Sequence, residues 1–479
     1  MRKFIQSSIL VVAAVLFSTC SINDFGDLNR NPNATTVPVT SALLTNALSG
    51  LGDWPRGLNE GLYAQYFSES QYTDNSLYAV LTIDFTGNYS GAMYDLQNII
   101  DNNTNENTKN EVAVNGSNNN QIAVARILKV YHYIHQTDRW GDVPYSEALK
   151  GAAQPKYDKQ ADIYKDFFKE LKESIAQFDG GLPAKGDVLF NGNISKWKKW
   201  ANSMRMILAM RLSKVDEAQG KAEFAAAFSD AAGYLSSAAD DVAVTYPGGN
   251  FRNPWYVLYD GRKDFAISDV VANTLSDLSD PRLRAFGEPN DKGEVIAIPY
   301  GLTRDDVIGY TNQHPDWSKV LNPSFRAENS PLVVLSAGEV LLTIAEAIQR
   351  GWVSGDKNKF YADGIQASWT RWNVFDNDAF EGYIASDKVA LSGGNELQRI
   401  GTQKWLAIFP DGRSGWTEWR RTGVPDLKPT PAATNNSKQI PRRFIYPSQE
   451  YNLNGSNLAS AVSGLGGGDT PDSRVWWDK

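Results

Sequence analysis

The sequence predicts an all-α chain, built from stacked helical hairpins that carry a large, irregular, loop-rich half. Three observations predict it. Apolar residues recur at helical spacing in four separate stretches. Helices pair across short connections, which makes neighbours in sequence neighbours in space. Two long stretches, 245–335 and 411–479, mix Pro, Gly, Asp and aromatic residues without helical period. No clean repeat of fixed length is present, so any structural repeat is degenerate in sequence.

The first helical stretch, 119–136, places Ile122, Ile127, Tyr131 and Ile134 at spacings of three to five. It follows an Asn-rich segment, 101–120, which reads as a surface loop. The second, 159–178, aligns Ile163, Phe167, Leu171, Ile175 and Phe178 on one face, with Asp158 placed to cap it. The third, 194–213, aligns Ile194, Trp197, Ala201, Met204 and Leu208. The fourth has the clearest boundary. Ser336 and Glu339 form a capping-box pattern, Val340, Leu341, Ile344, Ala345 and Ile348 follow at helical spacing, and Gly351 suits the position just past the end.

At 479 residues, with 42% hydrophobic and 21% charged, the chain can bury a large core. Its formal charge is −8, and loss of Arg2 and Lys3 with residues 1–19 would take −8 to −10. That balance argues against a nucleic-acid partner, whose binders carry basic faces. Met1-Arg2-Lys3 is a short basic start, Ile9–Phe17 is a nine-residue apolar run, and Ser18 and Thr19 precede Cys20, the one cysteine in the chain. This is the layout of a secretory signal over 1–19. The apolar run falls short of the about 20 residues a membrane span needs. A lone cysteine after small residues is the pattern of a lipoprotein cleavage site, with Cys20 as the acylated first residue. Residues 20–39 are then a polar tether, and 40–479 a single large domain.

Motifs for catalysis are missing: there is no P-loop, no GxSxG and no HExxH. His132 and His135 stand three apart on a predicted helix and could share a metal, but the simpler reading places one in the core and one on the surface. No metal site is assigned and no cofactor is expected, although the acidic loop Asp277 to Asp280 could hold a structural calcium. Aromatics are abundant, with 14 Trp, 21 Tyr and 20 Phe, and most of them must belong to the core. Trp and Tyr offer a flat apolar face with a polar handle, which suits the C–H face and hydroxyl rim of a sugar. Trp197, Trp369 and Trp405 lie in helical patterns and read as structural. Trp54, Tyr72, Tyr78, Trp255, Tyr259 and Trp317 lie in polar, aperiodic surroundings and are the ligand-binding candidates.

Seven segments, in order, resemble the SusD/RagB family, in its SusD-like lipoprotein branch. They are DRWGDVPYSEAL (Asp138 to Leu149), PKYDKQADIYKDFFKEL (Pro155 to Leu171), NGNISKWKKWANSMRMILAMRLS (Asn191 to Ser213), SAGEVLLTIAEAIQRGW (Ser336 to Trp352), YADGIQASWTRW (Tyr361 to Trp372), QKWLAIFPDGRSGWTEWRRTGVP (Gln403 to Pro425) and IPRRFIYPSQEYNLN (Ile440 to Asn454). The resemblance implies four TPR-like helix pairs in an α/α superhelix and an acylated cysteine on the outer membrane, exposed at the cell surface. It also implies a SusC-like TonB-dependent transporter as partner, over which the protein acts as a lid that captures an oligosaccharide, or in some members a peptide. The motif residues themselves read as structural. Asp138 and Arg139 are expected to pair locally, and Trp419, Arg420 and Arg421 to form a stacked, ion-paired corner. Two other functions compete with glycan capture. A peptide-binding relative would feed the same type of transporter. A surface glycoside hydrolase would need two carboxylates facing across a cleft, roughly 5–9.5 Å apart.

Overall fold

In the computed structural model, which describes residues 38–479, four helix pairs follow one another along the chain. Thr40–Ser49 packs on Tyr94–Thr104, Asn118–Trp140 on Gln160–Gln177, Ile194–Arg211 on Glu217–Phe228, and Ala337–Gln349 on Lys357–Arg371. Each pair also touches the next, through Tyr94–Thr104 on Asn118–Trp140, Gln160–Gln177 on Ile194–Arg211, and Ile194–Arg211 on Ala337–Gln349. Helix accounts for 52% of the described residues and strand for 6%, so the all-α class holds. Cys20 and the signal and tether segments lie outside the described residues.

The helices form where the apolar period puts them, and their ends show where local reading failed. Asn118–Trp140 begins behind Ser117, whose hydroxyl accepts from the Asn120 N–H. The Asn-rich 101–120 segment is mostly helical, contrary to the expected loop. Asn102 and Asn103 donate back to the carbonyls of Asn98 and Ile99, so each amide is satisfied within its own helix. Asn103 and Gln121 are buried, and the Gln121 Nε2 donates to the carbonyls of Val112 and Gly116. Polar composition conceals a hydrogen-bonded interior there.

Asp158 does not cap the next helix. It belongs to a two-residue ladder with Val143, and its carboxylate accepts from the Ser146 N–H and hydroxyl at 2.7 and 2.8 Å. Asp142 supplies the cap instead, accepting from the Gln160 N–H at 2.9 Å. Ser336 does cap Ala337–Gln349, accepting from the Glu339 N–H at 3.1 Å, and Gly351 sits at φ +70°, in the left-handed region that favours glycine. The two glycines Gly338 and Gly364 let this helix and Lys357–Arg371 approach closely. A Cβ on Gly364 would lie 2.7 Å from Leu342.

Only half of the capping box closes. The Glu339 carboxyl turns into the core, where burial pushes its pKa up to about 7, against the pull of Lys404. A raised carboxyl keeps its proton in the folded chain while the unfolded chain has lost it. Its contribution is therefore favourable below the unfolded value of 4.5 and is lost as pH climbs to about 7. Glu339→Gln is expected to stabilise the protein at pH 8 by up to ~3 kcal/mol. The gain should fade toward pH 5 in urea titrations at the two pH values. A gain that does not vary with pH would contradict the burial argument.

The irregular half holds more regular structure than its composition suggests. Within 245–335 lie the helices Asp269–Asp277 and Arg304–Gln313, and within 411–479 lie Gly412–Thr422 and Gly455–Ser463. Gly412–Thr422 escapes an apolar-period reading because its buried face is charged: Glu418, Arg420 and Arg421 are all enclosed. Arg421 donates to both Glu346 oxygens at 2.8 and 2.6 Å and to Glu418 at 3.1 Å, and Lys404 lies 3.2 Å from Glu418. Arg420 stacks 3.7 Å from the Trp416 ring centroid, and Arg442 lies over Trp419. The stacked, ion-paired corner is thus present with Trp416 as the ring beneath Arg420. Asp138 and Arg139 do not pair with each other. Asp138 binds Arg211, the Tyr164 hydroxyl and the Trp477 indole, and Arg139 turns to Glu60.

Candidate ligand-binding face

The strand Phe265–Ile267 collects four of the six aromatic candidates. It pairs antiparallel with Phe67–Glu69, register Glu69↔Phe265. From Glu69 the chain runs on beside the same segment. The Ser70 N–H donates to the Asp264 carbonyl at 2.9 Å and its hydroxyl to the Lys263 carbonyl at 2.6 Å. Glu69 accepts from both the N–H and the hydroxyl of Ser76, which closes the short loop carrying Tyr72. Burial raises the Glu69 carboxyl to about 7, with the Ser76 bonds opposing.

Tyr72 stands out from that loop with 46% of its surface open. The Arg262 and Arg304 guanidinium carbons lie 4.7 and 5.1 Å from its ring centroid. Arg304 is the first residue of Arg304–Gln313, a helix capped by the Thr303 hydroxyl. Farther along this helix the Tyr310 and His314 rings lie 4.4 Å apart. Trp317 follows, half-buried on a small apolar cluster of Ala266, Ile298 and Val307. This face offers open aromatic surface and guanidinium groups, Arg262 held by Asp264 through Nε and Nη2, and these are the two elements a hydroxylated ring needs. The guanidiniums are the part sequence reasoning missed. The available signal was the spacing of Arg304, Tyr310 and His314 on one short capped helix.

The other candidates have structural surroundings. The Tyr259 hydroxyl donates to the Phe265 carbonyl at 2.9 Å and accepts from the Val320 N–H at 3.0 Å, with Arg326 over its ring. Trp255 has no exposed surface and meets Phe67 edge-on at 5.3 Å. Tyr78 is also enclosed, at φ +65°, with its hydroxyl accepting from Thr430 N–H. Neither Trp255 nor Tyr78 has a face free for a ligand, because Trp255 packs beneath the ladder against Phe67 and Tyr78 is enclosed beside Tyr63 and Thr430. Trp54 lines a different cleft. His135 stacks on it at 5.2 Å and the Arg413 guanidinium lies 4.3 Å from its ring. Trp197, Trp369 and Trp405 are buried, as their helical spacing predicted.

His132 and His135 are both buried, which overturns the split of one inside and one outside. Among the described residues no group of three or more His, Cys, Asp or Glu is arranged to hold a metal ion. The Asp277 to Asp280 loop is no calcium site, since the Asp280 carboxylate is fully buried against Arg282 and the Tyr383 hydroxyl.

Paired helices bearing an irregular half define a TPR-like scaffold, and its loops carry an exposed ring flanked by guanidiniums. The chain belongs to the SusD-like family described as "Starch-binding associating with outer membrane", whose model matches residues 32–447. Three solved structures show the likeness in detail. A chitin-binding protein shares 31% identity, with 92% of this chain and 100% of that chain covered at a TM-score of 0.79. A SusD homologue from Bacteroides uniformis shares 25% identity over 92% and 99% of the two chains, at a TM-score of 0.77. A chitin-binding SusD homologue from Flavobacterium johnsoniae, at 24% identity, shares the fold over 92% and 98% at a TM-score of 0.79. No curated protein matches the chain. No helix among the described residues is long and apolar enough to cross a membrane.

Proposed function

We propose that the protein is a cell-surface glycan-binding lipoprotein. It captures oligosaccharides at the Tyr72 face and passes them to a SusC-like TonB-dependent transporter, without turnover. The observation that carries this reading is the open Tyr72 ring with Arg262 and Arg304 beside it. A relative at 31% identity that binds chitin supports β-linked N-acetylglucosamine oligomers as the first ligands to try. Their acetamido groups suit guanidinium donors, and their pyranose faces suit the ring.

Tyr72→Ala is expected to weaken binding of a chitooligosaccharide by about tenfold. The melting temperature should not move, because the ring is largely exposed. Calorimetric titration with a panel of oligosaccharides and oligopeptides checks this. Equal affinity of wild type and variant would remove Tyr72 from the site. A preference for peptides would favour the peptide-feeding relative, and release of shortened sugars would favour a hydrolase.

Membrane attachment rests on Cys20. Cys20→Ala is expected to move the protein from salt-washed outer membranes to the soluble fraction. Retention of the variant in those membranes would mean that something other than an acylated cysteine holds it.

A further inference from the structure

The cleft beside Trp54 has a construction unlike the Tyr72 face. It is open to solvent and holds about 270 Å³, close to the ~300 Å³ at which small-molecule pockets begin, which suits a single ring. Trp54 offers no open face to it, with His135 stacked on the ring and two guanidiniums, Arg413 and Arg139, 4.3 and 5.1 Å from its centroid. Arg139 and Arg413 both line the cleft.

Those two cations share one partner. The Arg139 Nη1 and the Arg413 Nε each reach Glu60 Oε1, both at 3.3 Å. Two positive charges thus face one carboxylate. Among the described residues neither Nη2 makes a hydrogen bond, and the Arg413 Nη1 has only a long contact of 3.4 Å to the Asp53 carbonyl. The histidines do not change this balance. Burial, helped by Arg413, lowers the His132 pKa to about 4, and His135 is lowered for the same reasons.

His132 adds a third donor. Its Nδ1 accepts from the Trp54 indole N–H at 3.1 Å, which puts the proton of the neutral ring on Nε2. Among the described residues that Nε2 has no partner, and it is buried on a side chain that lines the cleft and is 3% exposed. A buried N–H without an acceptor is costly, and guanidiniums with unused N–H groups form the planar fork that fits a carboxylate. The rim is of the opposite kind. Asp84 and Asp53, the latter 3.5 Å from Arg56, are exposed there, and the Asn88 amide donates to Gln136, with no donor to its oxygen among the described residues. Acceptors at the mouth and donors on the floor match a ring that carries hydroxyls at one end and a carboxylate at the other.

We infer that this cleft is a second recognition site, separate from the Tyr72 face, which takes the carboxylate of an acidic sugar such as a uronate onto Arg139 and Arg413. The assignment goes beyond capture of neutral glycans and does not depend on it.

Methyl glucuronoside, its methyl ester and methyl glucoside are the probes. They are titrated into full-length protein labelled at tryptophan, with the indole resonance of Trp54 identified among the 14 by Trp54→Phe. The glucuronoside is expected to shift that resonance at a concentration about tenfold lower than either neutral probe, and to weaken as salt is added. Arg413→Gln should abolish the preference, and Tyr72→Ala should leave it intact. Equal response to acid and ester, no response at tens of millimolar, or tighter binding of triglycine than of the glucuronoside would overturn the assignment. Should Arg413→Gln fail to fold, the wild-type comparison of acid with ester still decides it.

Discussion

Arg421→Ala is expected to destabilise the protein by about 3–5 kcal/mol, the usual result of removing one partner from a buried ion pair. Arg421 sits where Ala337–Gln349, Glu396–Ile408 and Gly412–Thr422 meet. Its guanidinium binds Glu346 with both terminal nitrogens and Glu418 with Nε. The side chains of Glu346 and Glu418 are 4% and 8% exposed, so water cannot replace the lost cation. Glu418 would keep only Lys404, and Glu346 would keep Lys404 at 3.8 Å and the half-buried Arg350 at 2.8 Å. In the wild type, burial works to raise the Glu346 pKa, but Arg421 and Lys404 prevail and hold it well below the usual range.

The sign of the pH effect follows. A depressed carboxyl stabilises the fold above its unfolded value of 4.5, and that contribution is lost as pH falls below it. In Arg421→Ala the depression is much reduced, so the deficit should be full from pH 8 down to pH 5 and shrink only as pH falls below 4.5. Urea denaturation of both proteins across that range measures it. Replacing Arg421, Lys404, Glu346 and Glu418 together by apolar residues of similar volume should cost far less than the single change, because no fully buried charge is stranded. A single variant within ~1 kcal/mol of wild type would show that the network is better hydrated than its burial implies.

Trp255→Ala is expected to cost about 3–5 kcal/mol through the cavity it leaves. Trp255 is fully buried, edge-on to Phe67, on a short helix entered through Asn253, whose side-chain oxygen accepts from the Trp255 N–H. Its indole N–H has no partner among the described residues, so the loss is one of packing and not of a hydrogen bond. Trp255→Phe should recover part of the stability. Glycan affinity measured well below the melting temperature should change little in either variant, the reverse of the Tyr72→Ala result. A variant that melts normally and fails to bind would return Trp255 to the ligand face.

The pair of outcomes at Tyr72 and Trp255 shows what the sequence could not separate. Both residues lie in aperiodic, polar stretches, and both meet the same short ladder. Tyr72 is on the outer turn of a loop closed by Glu69 and Ser76, whereas Trp255 lies under the ladder. Only the path of 67–72 alongside 263–267 distinguishes them. The same holds for Arg262 and Arg304, which are far from Tyr72 in sequence. The Asn-rich segment failed for another reason: composition records polarity but not whether an amide meets water or a backbone carbonyl. Gly412–Thr422 failed because a helix with a buried charged face has no apolar period to detect.

What the sequence alone determined about this protein is its helical class, the start of Ala337–Gln349 at Ser336, the burial of Trp197, Trp369 and Trp405, and its family. These depend on spacings within a few turns, or on ordered motifs, and need no knowledge of distant contacts. The tertiary structure alone decided which rings remain open, that Asp138 meets Arg211 and Arg139 meets Glu60, and that two guanidiniums converge beside Trp54. Exposure and ion pairing are properties of packing between segments tens to hundreds of residues apart, so no local pattern encodes them.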